Sequence, residues 1–404
     1  MNIALVHDYL KEYGGAERVL EALHDIWPDA PVYTSFVDFE SLGPHAGRIR
    51  KWDVRPSWAN NWFMKKFHSP LRFLAPWIWE SFDFKGYDVV ISSSGWYMCR
   101  GIITPPETVH ICYFHHPPRH LYGYATAVEW QKHFLVKIYA TIVNFFLRIY
   151  DFEAAQRVDY FIANSRETQS RIRKFYRREA EVIYPQVNVE AGSWKLEAGK
   201  ETGNSKLEKS SIKHQASFQA STLNSQASYF LCVSRLARAK HIDLAIEACQ
   251  ELRVPLKIVG KGRDEEYLKS KLEDGGSKVE FLGEVSDEEL DKVYAGAKAL
   301  IFPSEDEEFG IVAVEAMGHG VPVIAYRSGG LPETIIEGKT GVFFDELTVD
   351  SVIAAIKKFD GSNHRTISPQ NCLKQAQKFS KSRFVREILR FVEKKRRKQL
   401  TLKT

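Results

Sequence analysis

The chain is poor in the features that mark secreted, zinc-bound or membrane-spanning proteins. It has five cysteines, Cys99, Cys112, Cys232, Cys249 and Cys372, widely spaced and with no C-x-x-C. An odd, scattered set excludes a disulfide framework or a structural zinc site and fits reduced core thiols in a cytoplasmic protein. The opening MNIALVHDYL lacks a basic n-region and a cleavage site, so it reads as a strand and not as a secretory leader. The most membrane-like segment, FLVKIYATIVNFFLRIY at 134–150, is interrupted by Lys137 and Arg148. Its unbroken apolar core is too short to span a bilayer, and a buried or interfacial helix is expected. No tandem repeat occurs. The net charge is only +5, too small to imply a nucleic-acid partner. No G-x-G-x-x-G follows the first strand, since EYGGAE is not one, which weighs against a dinucleotide oxidoreductase.

What is present is an alternation. With 404 residues, 44% of them apolar, the chain can bury two cores. NIALVHDYL, APVYTSF, YDVVISSS, TVHICYF and VDYFIANS are near-continuous apolar runs, and GGAERVLEALHDIW is an amphipathic helix. Such runs suit a parallel sheet covered on both faces. Strand, helix, strand in series predicts a doubly wound α/β domain over 1–189. Residues 190–228 are rich in Ser, Lys, Gln and Glu and read as a polar flexible linker or insertion. The alternation restarts with YFLCVSRL and runs through KALIFPS and PVIAYR, predicting a second such domain over 229–378. Residues 379–404 read as a terminal helix with an apolar stripe and a basic end, expected to pack back on the first domain. Two doubly wound domains in one chain leave a cleft between the carboxyl ends of their sheets, where ligands bind.

The basic residues cluster at Lys65-Lys66, at RIRKFYRR (171–178) and at EKKRRK (393–398). Each alone reads as a solvated helix face. Together they permit a surface that meets anionic lipid or an anionic acceptor, hence a cytoplasmic protein held peripherally at the membrane.

The chemistry concentrates in FPSEDEEFGIVAVEAMGHG (302–320). A strand ends at Phe302-Pro303, an acidic loop follows, and a helix is expected from about Phe309. A helix start offers free amides and partial positive charge to a phosphate. Glu307 stands at that mouth, and Glu315 lies about two turns on among Val, Ala and Met, where a carboxylate is costly without partners. A carboxylate there suits vicinal hydroxyls of a ribose or hexose. SRLARAK places Arg235 and Lys240 across a strand-to-helix turn, where two cations can face a phosphate, though either alone reads equally as a surface charge. Gly14 and Gly15 lie between the first strand and first helix, where the backbone can approach a phosphate. His115, His116 and Arg119 end another strand in HHPPR. A metal there would need further ligands, and none are nearby in sequence. Gly260 and Gly262 follow a later strand, and Asn164-Ser165 read as a helix cap.

FPSEDEEFGIVAVEAMGHGVPVIAYRSGGLPETI, together with the Gly-Gly start, the His-Pro-Arg element and VSRLARAK, resembles the family 4 retaining glycosyltransferases. The resemblance implies an α/β GT-B fold of two Rossmann-like domains facing a central cleft, and a nucleotide-sugar donor. By the same resemblance Glu307 contacts the donor sugar and Glu315 holds the ribose. Amides near Phe309, Gly310 and Ile311 face the diphosphate, and Arg235 and Lys240 neutralise it as it leaves. The Gly14-Gly15 loop closes over the phosphates, and His115 contacts the sugar. Gly260, Gly262 and Val285 lie near the base, and Glu17 and Arg119 are acceptor-side candidates. The chain departs from the family pattern at Ser234, His241, Glu308 and Gly318-His319. No D-x-D occurs, so no metal and no cofactor are expected. The expected reaction moves a hexose, best matched by mannose from GDP-mannose, to a glycan or lipid-linked acceptor in surface-polysaccharide synthesis. A UDP-sugar donor, and a non-catalytic module that binds nucleotide sugar, remain as alternatives.

Overall fold

A computed structural model of the chain describes residues 1–124, 134–187, 228–272, 278–361 and 366–401. Apart from Ser228, the polar stretch 190–228 lies outside the described residues. The chain divides into two compact units, Met1–Gln186 with Lys381–Thr404, and Val187–Ser380.

The first unit holds β1 (Ile3–His7), β2 (Val32–Thr34), β3 (Val54–Pro56), β4 (Val89–Ser94), β5 (Val109–Phe114), β6 (Tyr160–Ala163) and β7 (Ala180–Val182). They form one parallel sheet in the order β3-β2-β1-β4-β5-β6-β7. Successive side chains of a strand point to opposite faces. Accordingly Ile3, Leu5, Val89 and Ile91 join one core, and Ala4, Val6 and Val90 join the other. The first core is closed by helix α1 (Gly15–Ile26) and by the last helix of the chain, Lys381–Thr401, through Val19, Leu20, Leu23, Phe384, Ile388 and Phe391. The second is built on Trp79, Phe84, Tyr97 and Cys99.

Two helices follow: α2 (Phe134–Gln156) and α3 (Arg166–Tyr176). One stripe of α2, Ala140, Asn144, Leu147, Asp151 and Ala154, is buried at the helical repeat. The opposite stripe is also apolar and stands in solvent, with Ile142, Phe145 and Phe146 more than half exposed. No described helix is long and apolar enough to cross a membrane.

The second unit holds β8 (Tyr229–Val233), β9 (Leu256–Val259), β10 (Val279–Gly283), β11 (Ala297–Phe302), β12 (Val323–Tyr326) and β13 (Gly341–Phe344), in a parallel sheet of order β10-β9-β8-β11-β12-β13. Helices α4 (Ile242–Glu251) and α5 (Ile311–Gly318) follow β8 and β11. In both sheets the strand order reverses between the first and fourth strands of the set, so the loops after those strands are the natural place for a ligand. The five cysteines are free and buried.

Candidate functional site

In the second unit the loops at the carboxyl ends of β8, β9, β11 and β12 are joined by backbone contacts. The Ser234–Leu236 segment lies against the glycines after β9, with Leu236 N donating to Lys261 O at 3.0 Å. Gly260 has φ 126°, and a Cβ on it would stand 2.0 Å from Ser234 O, so no other residue permits this approach. A Cβ on Gly262 would similarly meet Leu236 O at 2.1 Å. The acidic loop is held from both sides. Glu305 N donates to Ala239 O at 3.2 Å, Asp306 N to Ser328 Oγ at 2.9 Å, and Gly330 N to Glu307 O at 2.7 Å. Gly329, at φ 56°, passes so close to Glu307 O that a Cβ would stand 1.9 Å away.

This scaffold brings Lys240 and Glu307 together across 67 residues, with Nζ donating to Oε2 at 2.7 Å. Both are partly open, at 23% and 18% side-chain exposure, so the pair can exchange partners with a ligand. Arg235 is exposed on the same β8 turn. Helix α5 begins at Ile311, two residues later than the pattern suggested, because Gly310 is its N-cap with φ 84°. The Phe309 ring is buried against Phe379, 5.3 Å between centroids, which anchors the loop and leaves the helix start to the backbone. Glu315 is 7% exposed on an otherwise apolar helix. Val285 is half-buried after β10.

In the first unit Gly14 is the N-cap of α1 and Gly15 its first residue. Gly14 N donates to Glu17 Oε2 at 2.8 Å, the near half of a capping box. The other oxygen, Oε1, takes His7 Nε2 at 3.3 Å. Burial by itself raises the Glu17 carboxyl, but the hydrogen bond and charge of His7 and the Gly14 amide outweigh it and hold the group below the usual carboxylate range. Glu17, an acceptor-side candidate in the sequence, is buried here with both oxygens engaged inside the fold.

His115 follows β5 and is 6% exposed. Its amide donates to Ser94 O at 2.9 Å, and its carbonyl accepts from Asn164 Nδ2 at 3.0 Å. Ser165 caps α3 by accepting from Thr168 N at 3.0 Å. Arg119 opens a short helix, Arg119–Tyr122, and is half-buried.

Three features of the site were not singled out from the sequence. Asp8, just past β1, accepts backbone hydrogen bonds from Gly95, Tyr97 and Cys99 at 2.9, 3.0 and 2.9 Å, and so sets the loop after β4. Ser92, Ser93 and Ser94 are fully buried, and each serves a basic side chain: His110 at 2.9 Å, His115 at 2.8 Å and Arg100 at 3.1 Å. Three hydroxyls in an otherwise apolar strand were the available signal. The third is the Ser328-Gly329-Gly330 turn that clasps Glu307, visible only as a Gly-Gly after a strand. No cluster of potential metal ligands occurs among the described residues.

Residues 13–191 match the family described as Glycosyltransferase Family 4, and residues 213–379 match Glycosyl transferases group 1. The GDP-mannose-dependent alpha-(1-6)-phosphatidylinositol monomannoside mannosyltransferase of Mycolicibacterium smegmatis is 40% identical over 140 residues, 31% of this chain and 37% of that one. The O-antigen chain mannosyltransferase B of Escherichia coli is 32% identical over 162 residues, 38% and 42% of the two chains. The matched stretch thus spans less than half the length of these curated relatives. Among solved structures, Anabaena Alr3699/HepE in complex with UDP-glucose superposes with a TM-score of 0.66, at 19% identity, over 97% of this chain and 99% of that chain. With both family matches in sequence along it and two parallel six- and seven-stranded Rossmann-like units, the chain belongs to the family 4 glycosyltransferases and has the GT-B fold.

Proposed function

We propose that the protein is a retaining hexosyltransferase that moves mannose from GDP-mannose to a hydroxyl of a glycan or lipid-linked glycan in surface-polysaccharide assembly. The observation that carries the reading is the Lys240–Glu307 contact, set beside the α5 start by the glycine-clasped loops. Mannose is favoured because both curated relatives are mannosyltransferases. In this reading the second unit binds the donor: amides of Phe309, Gly310 and Ile311 meet the diphosphate and Glu315 the ribose. The C1–O bond to the diphosphate breaks while a C1–O bond to the acceptor forms on the same face. The acceptor proton passes to the leaving phosphate oxygen. Arg235 and Lys240 meet the charge that grows there, and Glu307, released from Lys240, faces the sugar hydroxyls. His115 and the Gly14-Gly15 loop contribute from the first unit. The test is release of nucleoside diphosphate from a panel of nucleotide sugars. Turnover of GDP-mannose alone is expected; turnover only of a UDP-sugar overturns the donor, and no turnover with any donor and glycan acceptor overturns the reaction.

Two cations at the diphosphate take the part a divalent ion plays elsewhere, and no D-x-D is present to hold one. Turnover is therefore expected to survive EDTA. Loss of most activity in the chelator, restored by manganese, counts against this assignment.

The exposed apolar stripe of α2, with Lys137 and Arg148 beside it, suits the interface of an anionic bilayer. Exposed Trp62 and Trp77 and the Lys65-Lys66 pair extend the same chemistry, and Arg72 links that segment to α2 by donating to Asn144 Oδ1 at 2.9 Å. Each surface cation adds about 1 kcal/mol of attraction to anionic lipid. Co-sedimentation with phosphatidylglycerol vesicles is expected to exceed that with phosphatidylcholine vesicles and to fall with salt. Equal binding to both at low salt removes the electrostatic part of the proposal.

A further inference from the structure

The first unit contains a buried hydrogen-bonded chain that ends on His115. Glu17 Oε1 meets His7 Nε2 at 3.3 Å, His7 Nδ1 meets Ser93 Oγ at 3.1 Å, and Ser93 Oγ meets His115 Nε2 at 2.8 Å. All four side chains are buried, at 7%, 2%, 0% and 6% exposure. The chain is built by the sheet itself. In the β1–β4 register His7 and Ser93 are direct partners, and His115 follows the neighbouring strand β5. Its far end reaches the Gly14-Gly15 loop, because Glu17 also accepts the Gly14 amide.

With both histidine rings neutral, the carboxylate end of this chain sets the direction of every bond in it. An ionised carboxylate only accepts, so His7 Nε2 is a donor to Glu17. In a neutral His7 ring Nδ1 is then the acceptor, and the single Ser93 proton points to it. Ser93 Oγ is left to accept from His115, which places the His115 proton on Nε2 and leaves Nδ1 as the accepting edge of the ring.

We propose that Glu17, His7 and Ser93 are positioning residues that hold His115 as its Nε2–H tautomer, so that its Nδ1 can accept a hydrogen bond from a donor-sugar hydroxyl. The role of the sugar hydroxyl rests on the reaction proposed above; the tautomer does not. The chain also ties His115 to the loop that caps α1, so the two first-unit elements assigned to the donor are set by one network. His115 is fixed in addition through its own backbone by Ser94 and Asn164.

The experiment uses the full chain and two readouts. Long-range nitrogen–proton correlation spectra of the histidine rings, assigned with His115→Gln, report the tautomer. Wild-type protein is expected to show His115 protonated at Nε2. Ser93→Ala removes a single buried oxygen and is expected to give a tautomer mixture, whereas Ser93→Thr, which keeps the hydroxyl, retains the Nε2–H form. His7→Gln, which keeps a donor toward Glu17 but loses the ring acceptor, is expected to match Ser93→Ala. In kinetics, Ser93→Ala is expected to lower kcat by roughly ten- to hundredfold with the donor KM little changed, as for a misplaced contacting group, and Ser93→Thr to recover most of it. A wild-type His115 protonated at Nδ1, or a tautomer unmoved in both Ser93→Ala and His7→Gln, overturns the proposal. A protein with the expected tautomer that turns over no donor sinks the reaction and leaves the positioning chain standing.

Discussion

Arg235→Ala and Lys240→Ala are each expected to lower kcat by about 10²–10³ while leaving the fold intact, the usual loss when one preorganised donor to a developing oxyanion is removed. Glycosyl transfer leaves the diphosphate with more charge in the transition state than in the bound donor. A cation facing that oxygen therefore contributes more to turnover than to donor affinity. The two variants are expected to differ in the donor KM. Lys240 is paired with Glu307 at 2.7 Å, so its removal also frees the carboxylate assigned to the sugar. Removal of Arg235, a group assigned to the charge that grows in the transition state, is expected to spare the KM. Glu315→Ala, which loses ribose contacts made both before and during reaction, is expected to raise the KM with a smaller change in kcat. Steady-state kinetics with circular dichroism as the folding control decides this. Wild-type kcat in both cation variants would make Arg235 and Lys240 surface charges.

Asp151→Ala is expected to destabilise the first unit by about 3–5 kcal/mol, the cost of leaving a buried charge uncompensated. Arg100 and Asp151 form an ion pair with neither side chain exposed. Asp151 Oδ2 also accepts from Tyr122 and Tyr176 at 2.7 and 2.8 Å, and Arg100 Nη1 donates to Ser94 Oγ and Gly95 O at 3.1 and 3.2 Å. Guanidinium stays charged at any accessible pH, so it cannot escape by releasing a proton. Urea unfolding followed by circular dichroism measures the loss. A shift below about 1 kcal/mol, the size of an exposed pair, would mean that water reaches Arg100.

The architecture was legible because parallel strands buried on both faces are written as short apolar runs between turns and amphipathic helices. The β1 and β4 runs are such cases, and their alternate residues do enter opposite cores. The α5 boundary was read two residues early, since the left-handed Gly310 that caps it looks in sequence like one more flexible loop residue. The acidic loop and the two cations were legible as residue types. Their contact was not, because only the adjacency of β8 and β11 brings residues 67 apart together. The capping role of Glu17 was not legible, because a capping carboxylate and a ligand-facing one look alike until the burial is known. His7 is one polar residue at the end of an apolar run and Ser93 the middle of three serines, and the sheet register alone makes the two partners. For α2 the sequence left a buried and an interfacial helix both open, since an apolar run does not say which side of a helix has a protein to pack against.

The return of the final helix to the first unit has a consequence for how the chain is made. Phe384, Ile388, Phe391 and Val392 belong to the core of β1, β4 and α1, yet they leave the ribosome only after all of Val187–Ser380. At about 5–20 residues per second, the first unit waits on the order of ten seconds or more with one face of its sheet uncovered. The second unit has no such debt and can close on itself first. During synthesis, therefore, the later half of the chain is expected to be protected from protease while the earlier half is still cut, the reverse of the order in which they emerge.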